Sequence, residues 1–131
     1  MKFLLDTNIC IYWFNGEESI KEKILDISCN DIGISIITLA ELKYGAYNSE
    51  KVEENLSRIK EFKDIINFYN LNENCITRYA KTKANLREKG KILDDFDILI
   101  ASIAIENNLT LVTNNIKHFD RINNIEVENW I

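Results

Sequence analysis

Residues 2–8 read Lys2-Phe3-Leu4-Leu5-Asp6-Thr7-Asn8, a short apolar run that stops on an acid. The run is too short for a helix and lacks polar alternation, the pattern of a strand buried on both faces. Ile32-Gly33-Ile34-Ser35-Ile36-Ile37 is a second such run, rich in β-branched residues. Residues 66–69, 109–113 and 125–128 are three more strand candidates. Helical segments lie between them. Residues 8–14 stop at Asn15-Gly16, and residues 17–28 space Ile20, Ile24 and Ile27 along one face. Residues 38–47 do the same with Leu39, Leu42 and Ala46, and residues 50–65 with Leu56, Ile59 and Phe62. Residues 73–89 end at Gly90, and residues 95–107 are dense in Ile and Ala, which predicts burial on most sides. Strands alternating with helices imply an α/β fold with a parallel sheet covered on both faces. No repeat or linker interrupts the order, so a single domain is expected over residues 1–131.

The composition agrees. Hydrophobic residues make up 46% and charged residues 28%, a globular balance. No stretch approaches the ~18 uncharged apolar residues of a membrane span. Asp6 stands where the apolar core of a signal peptide would continue, so none is expected. Three widely spaced cysteines without a CxxC pair exclude a disulfide framework and a cysteine zinc site, and predict a reducing, cytoplasmic setting. A net charge of −5 argues against coating nucleic acid by bulk electrostatics. It leaves room for an acidic metal site that cuts nucleic acid.

Ligands of open parallel sheets bind beyond the carboxyl ends of the strands. The first strand ends at Asp6-Thr7-Asn8. The second ends at Ile37-Thr38, with Glu41 one turn on. Asp94, Asp95 and Asp97 begin a helix, and the strand at 109–113 ends in Thr113-Asn114-Asn115. Carboxylates gathered from separate segments repel each other, and at least one pKa rises unless a cation relieves them. Mg²⁺ accepts a few carboxylates, keeps waters and takes phosphate oxygens. The chemistry this suggests is metal-dependent phosphodiester hydrolysis.

Each residue also has a structural reading. Asp6 can cap the following helix. Thr38-Leu39-Ala40-Glu41 fits a capping box with Thr38 at the N-cap. Asp94 is a good N-cap, with Asp95 and Asp97 favoured in a first turn by the helix dipole. Asn8 either orients Asp6 or closes the turn, and Asn115 is either a ligand or a cap. His118, the sole histidine, reads best as a solvated or packing residue. Its solitude excludes a paired-histidine nuclease and leaves a serine or cysteine triad only one candidate base.

Four segments carry a resemblance: FLLDTNICIYW, ISIITLAELKYGA, GKILDDFDILIASIAIENNLTLVTNN and IEVENW. The sequence resembles PIN-domain proteins, and among them the VapC toxins of toxin–antitoxin modules. The likeness runs from residue 3 to 130 and is looser between 48 and 88. It implies a three-layer α/β/α fold around a parallel sheet, and a Mg²⁺- or Mn²⁺-dependent endoribonuclease site. Carried over by motif, Asp6, Glu41 and Asp97 are the catalytic and metal-binding acids, with Asn115 a further candidate ligand. A pattern TNNxxEF is usual among close relatives, whereas here His118 stands in the glutamate's place. The resemblance further implies a tRNA or ribosomal RNA loop as substrate, a homodimer, and a VapB-like antitoxin that covers the acidic cleft.

The stretch 78–91 holds Arg78, Lys81, Lys83, Arg87, Lys89 and Lys91 against one acid, Glu88. It reads either as a phosphate-binding strip or as a solvated helix face. Asn8, Thr113, Arg87 and Lys91 are the expected RNA contacts. Tyr12, Trp13 and Phe14 read mainly as core or dimer contacts, with base stacking the other use, and Tyr44, Tyr47 and Phe62 as packing. Two other functions compete: a non-catalytic PIN-like binding module, motivated by the missing fourth acid, and an aspartyl-phosphate receiver. A receiver needs a Lys just after a later strand, which this chain lacks.

Overall fold

A computed structural model describes all residues, 1–131. Five strands form the sheet: β1 (Phe3–Leu5), β2 (Ile32–Ser35), β3 (Asn67–Tyr69), β4 (Thr110–Val112) and β5 (Val127–Glu128). Their order is β3-β2-β1-β4-β5, and every neighbouring pair is parallel. Seven helices connect them: α1 (Thr7–Phe14), α2 (Glu18–Asp26), α3 (Ile36–Tyr47), α4 (Val52–Ile65), α5 (Glu73–Glu88), α6 (Asp95–Glu106) and α7 (Ile116–Phe119).

The strands alternate their side chains between two cores, which is why they read as unbroken apolar runs. Leu4 and Leu111 face a cluster with Leu86 of α5 and Ile98, Ile100 and Ile103 of α6. Phe3, Leu5, Ile34 and Val112 face the other, with Ile9 of α1, Ile20 of α2, Leu42 of α3 and Phe62 of α4. Helices thus cover both faces, as the α/β/α expectation has it. In α6, residues 100–104 are all buried, so this helix is enclosed on nearly every side.

Two boundaries differ from the sequence reading. Strand β2 stops at Ser35, and the β-branched Ile36 and Ile37 already belong to α3. The Ser35 hydroxyl accepts from Thr38 N (3.1 Å), so Ser35 is the cap and the capping box on Thr38 does not form. The single turn α7 has no sequence expectation behind it, because four residues show no helical period. Tyr44 and Tyr47, expected to pack, are 71% and 66% exposed. Phe62 does pack, edge-on to both Trp13 (4.8 Å) and Phe14 (5.0 Å).

Gly33 is required by close approach rather than by an unusual φ. A Cβ there would meet Tyr69 Cε2 at 2.5 Å and Asn67 O at 2.9 Å, where β2 runs beside β3. Gly33→Ala is expected to destabilise the fold by about 2 kcal/mol, the usual cost of overpacking a filled core. Urea unfolding should show it as a lower midpoint at unchanged slope.

Candidate active site

The strand order changes direction between β1 and β4, so a crevice opens beyond their carboxyl ends. Both strands deliver a polar side chain there. Asp6 N donates to Val112 O at 2.9 Å, extending the β1–β4 ladder by one step. Asp6 Oδ2 accepts from the Thr113 hydroxyl at 2.9 Å, and Oδ1 from Thr7 N at 2.8 Å. Asp6 is therefore both the cap of α1 and a fixed acid at the switch point. Only 6% of it is exposed, and burial raises its pKa despite these two hydrogen bonds and the nearby His118.

Glu41 comes from α3 and is held by α1. The Thr7 hydroxyl donates to Glu41 Oε1 at 2.7 Å and shares a second hydrogen bond with the Thr38 hydroxyl at 3.1 Å. Thr7 is not legible as a site residue in the sequence, because nothing in its type or spacing announces a partner 34 residues away. Thr38 is missed as part of this network for the same reason.

Asp97 stands in the first turn of α6. Burial pushes its pKa up to about 6, and the negative charges of Asp6, Asp94 and Glu41 add to the rise, against His118. Acids following β1, on α3 and at the start of α6 thus act on one carboxyl group. The two neighbouring acids are occupied elsewhere. Asp94 caps α6 through Phe96 N (3.2 Å), as its sequence context predicts. Asp95 accepts from Lys83 Nζ (2.7 Å) and Tyr79 Oη (3.0 Å), tying the start of α6 to α5.

The remaining expected residues divide. Thr113 is fully buried with its hydroxyl on Asp6, so it has no surface to offer RNA and serves to position the acid. Asn115 meets the site through its backbone: Asn115 N donates to Thr113 Oγ1 at 3.1 Å, while its side chain is exposed. Asn8 is exposed on α1. The basic run splits into two sets. Arg78 is paired with Glu106 and Lys83 with Asp95, whereas Arg87 and Lys91 are exposed and form no ion pair. His118 is half exposed, with Nδ1 3.9 Å from Asp97 Oδ2.

No three His, Cys, Asp or Glu side chains close around one point as a cage. The donor set nevertheless suits a hard divalent ion. Mg²⁺ needs only one or two carboxylates beside waters and phosphate oxygens. Two adjacent acids with raised pKa values are a cluster short of positive charge, which such an ion supplies.

The PIN-domain family profile matches residues 3–125. The chain belongs to the PIN-domain family. Its full-length relatives are VapC ribonucleases. It is 42% identical to Ribonuclease VapC2 of Rickettsia felis, over 99% of this chain and 98% of that one. It is 33% identical to the tRNA(fMet)-specific endonuclease VapC of Shigella flexneri, with the same coverage. Among solved structures, the VapBC2 complex of Rickettsia felis, bound to a promoter DNA fragment, superposes with a TM-score of 0.92 at 41% identity. That match covers 100% of both chains.

Asp97 links this site to stability. The folded chain keeps the Asp97 proton up to about pH 6, against an ordinary value of 3.8. Between those values the folded state binds more protons than the unfolded one, so stability falls as pH rises through that window. Asp97→Asn carries no such penalty. In EDTA, its melting temperature should gain on the wild type as pH rises from about 4 to about 6, reaching on the order of 2–5 °C above that. A difference independent of pH would mean that Asp97 is not burdened by its neighbours.

Proposed function

We propose that this chain is a metal-dependent endoribonuclease toxin that cuts RNA to inhibit translation and is neutralised by a VapB-like antitoxin. The observation that carries the reading is that Thr7 holds Asp6 and Glu41 together at the switch point of a parallel sheet, with the Asp97 carboxyl raised by both of their charges. Full-length likeness to VapC ribonucleases supports it. The whole of residues 1–131 acts as one domain in this reading.

Asp6 and Asp97 hold the divalent ion, Mg²⁺ or Mn²⁺, and Glu41 completes the acidic set. The ion supplies charge neutralisation and a lowered pKa for water, the two needs of phosphodiester hydrolysis at neutral pH. Thr7 fixes Glu41 Oε1, which leaves Oε2 to orient the attacking water. Thr113 and Thr7 N hold Asp6 in one rotamer, so the acid enters the reaction already oriented. Arg87 and Lys91, free of acid partners, receive flanking phosphates, with Asn8 at the rim.

The substrate is a structured RNA, a tRNA or ribosomal RNA loop, in keeping with the tRNA named in the Shigella relative. The antitoxin reading rests on solved relatives that are toxin–antitoxin complexes. A groove between α1, α3 and α4, lined by Ile11, Phe14, Leu42, Ala46 and Ile59, leads to Glu41 and suits an apolar segment of such a partner. A homodimer and a cytoplasmic setting complete the proposal. No helix is long and apolar enough to cross a membrane, and all three cysteines are free thiols.

Purified protein incubated with total RNA should yield discrete fragments with Mg²⁺ or Mn²⁺ and none with EDTA. Asp97→Asn should lower the rate by at least about 100-fold, the scale of losing one electrostatic element of a transition state. A well-folded wild type that cuts nothing under any ion would instead leave a binding module. Charge reversal of Arg87 and Lys91 should weaken RNA binding across sequences and flatten its salt dependence by roughly one unit of slope per residue.

A further inference from the structure

The acids of the site are all oxygen donors, and one nitrogen donor stands with them. His118 is the only imidazole in the chain. The short helix α7 carries it back toward α6, with Nδ1 3.9 Å from Asp97 Oδ2. That separation is too long for a hydrogen bond. It suits two donors on one ion. With metal–ligand bonds of about 2.1 Å, two donors lie roughly 3.0 Å apart at a right angle and roughly 4.2 Å apart when opposed. The observed spacing lies between those limits, and a rotation of the half-exposed ring brings the pair to the shorter one. The ring makes no hydrogen bond, and half of it faces solvent. Asp120, the next acid along, is exposed and forms no ion pair.

We propose that His118 is a metal ligand, bridging with Asp97 to the divalent ion and shifting the site's preference from Mg²⁺ toward nitrogen-seeking transition ions. The inference rests on the reading of Asp6 and Asp97 as the metal-binding pair. Imidazole is a borderline donor that binds the later first-row ions well, whereas Mg²⁺ favours carboxylate and water. A site with one imidazole among carboxylates therefore separates Ni²⁺ from Mg²⁺ more widely than an all-acid site.

The test is calorimetric titration of the tag-free full chain with Ni²⁺ and with Mg²⁺, without RNA. Wild type, His118→Ala, His118→Glu and Asp97→Asn are compared, each checked for fold by circular dichroism. His118→Ala should weaken Ni²⁺ at least tenfold and leave Mg²⁺ within twofold. His118→Glu should tighten Mg²⁺ and narrow the Ni²⁺ to Mg²⁺ ratio. In the NMR spectrum of wild type, substoichiometric Ni²⁺ should broaden the ring signals of the sole imidazole first. If His118→Ala keeps its Ni²⁺ affinity within twofold while Asp97→Asn loses both ions, His118 is no ligand and the acidic site stands. If Asp97→Asn keeps both ions, the acidic site itself is misassigned, and the inference falls with it.

Discussion

The register of β1 against β4 is the constraint on which the rest depends. Phe3 pairs with Thr110, Leu4 with Leu111 and Leu5 with Val112. That register alone sets Asp6 beside Thr113, residues 107 positions apart in the chain, and closes the hydrogen bond between them. A slip of one residue would turn Leu4 and Leu111 away from the α5–α6 core and Asp6 away from the crevice. The two cores therefore do more than stabilise the sheet. Their alternating demands, Leu4 on one side and Leu5 on the other, lock the register that aims the acid.

The same crevice works against the fold. Asp6 and Asp97 are both raised by burial, and each is made worse by like charge nearby or only partly relieved by hydrogen bonds. The protein tolerates this because the surrounding elements are over-determined. Asp6 is fixed by β1, α1 and Thr113, and Asp97 rides on α6, whose faces are nearly all buried. Asp95 and Lys83 anchor the start of that helix from outside. Rigid support lets unfavourable charges stay close.

Much of this was legible in the sequence, and the exceptions share a cause. Strands such as residues 2–5 and 109–113 announce themselves because both faces are buried. Asp6, Glu41 and Asp97 are visible because acids at strand ends and helix starts are few. The cap of α3 is not legible in the sequence because Thr38 and Ser35 are equally good capping residues, and only the length of β2 decides between them. Thr113 looked like a surface contact because a threonine at a strand end reads the same buried or exposed. Thr7 could not be found at all, since its value lies in a hydroxyl reaching Glu41 across two helices. Type and spacing describe what an element is, and long-range partners decide what a polar residue does.

The central place of β1 has a consequence for synthesis. The first strand to leave the ribosome is the middle strand of the sheet, and one of its two partners is β4, made almost last. Until Thr113 has emerged, Asp6 lacks the hydroxyl that holds its Oδ2, and α6 lacks the strand that follows it in the sheet. The crevice cannot assemble on a nascent chain. A PIN-domain site is thus built so that it forms only when its own translation is nearly over.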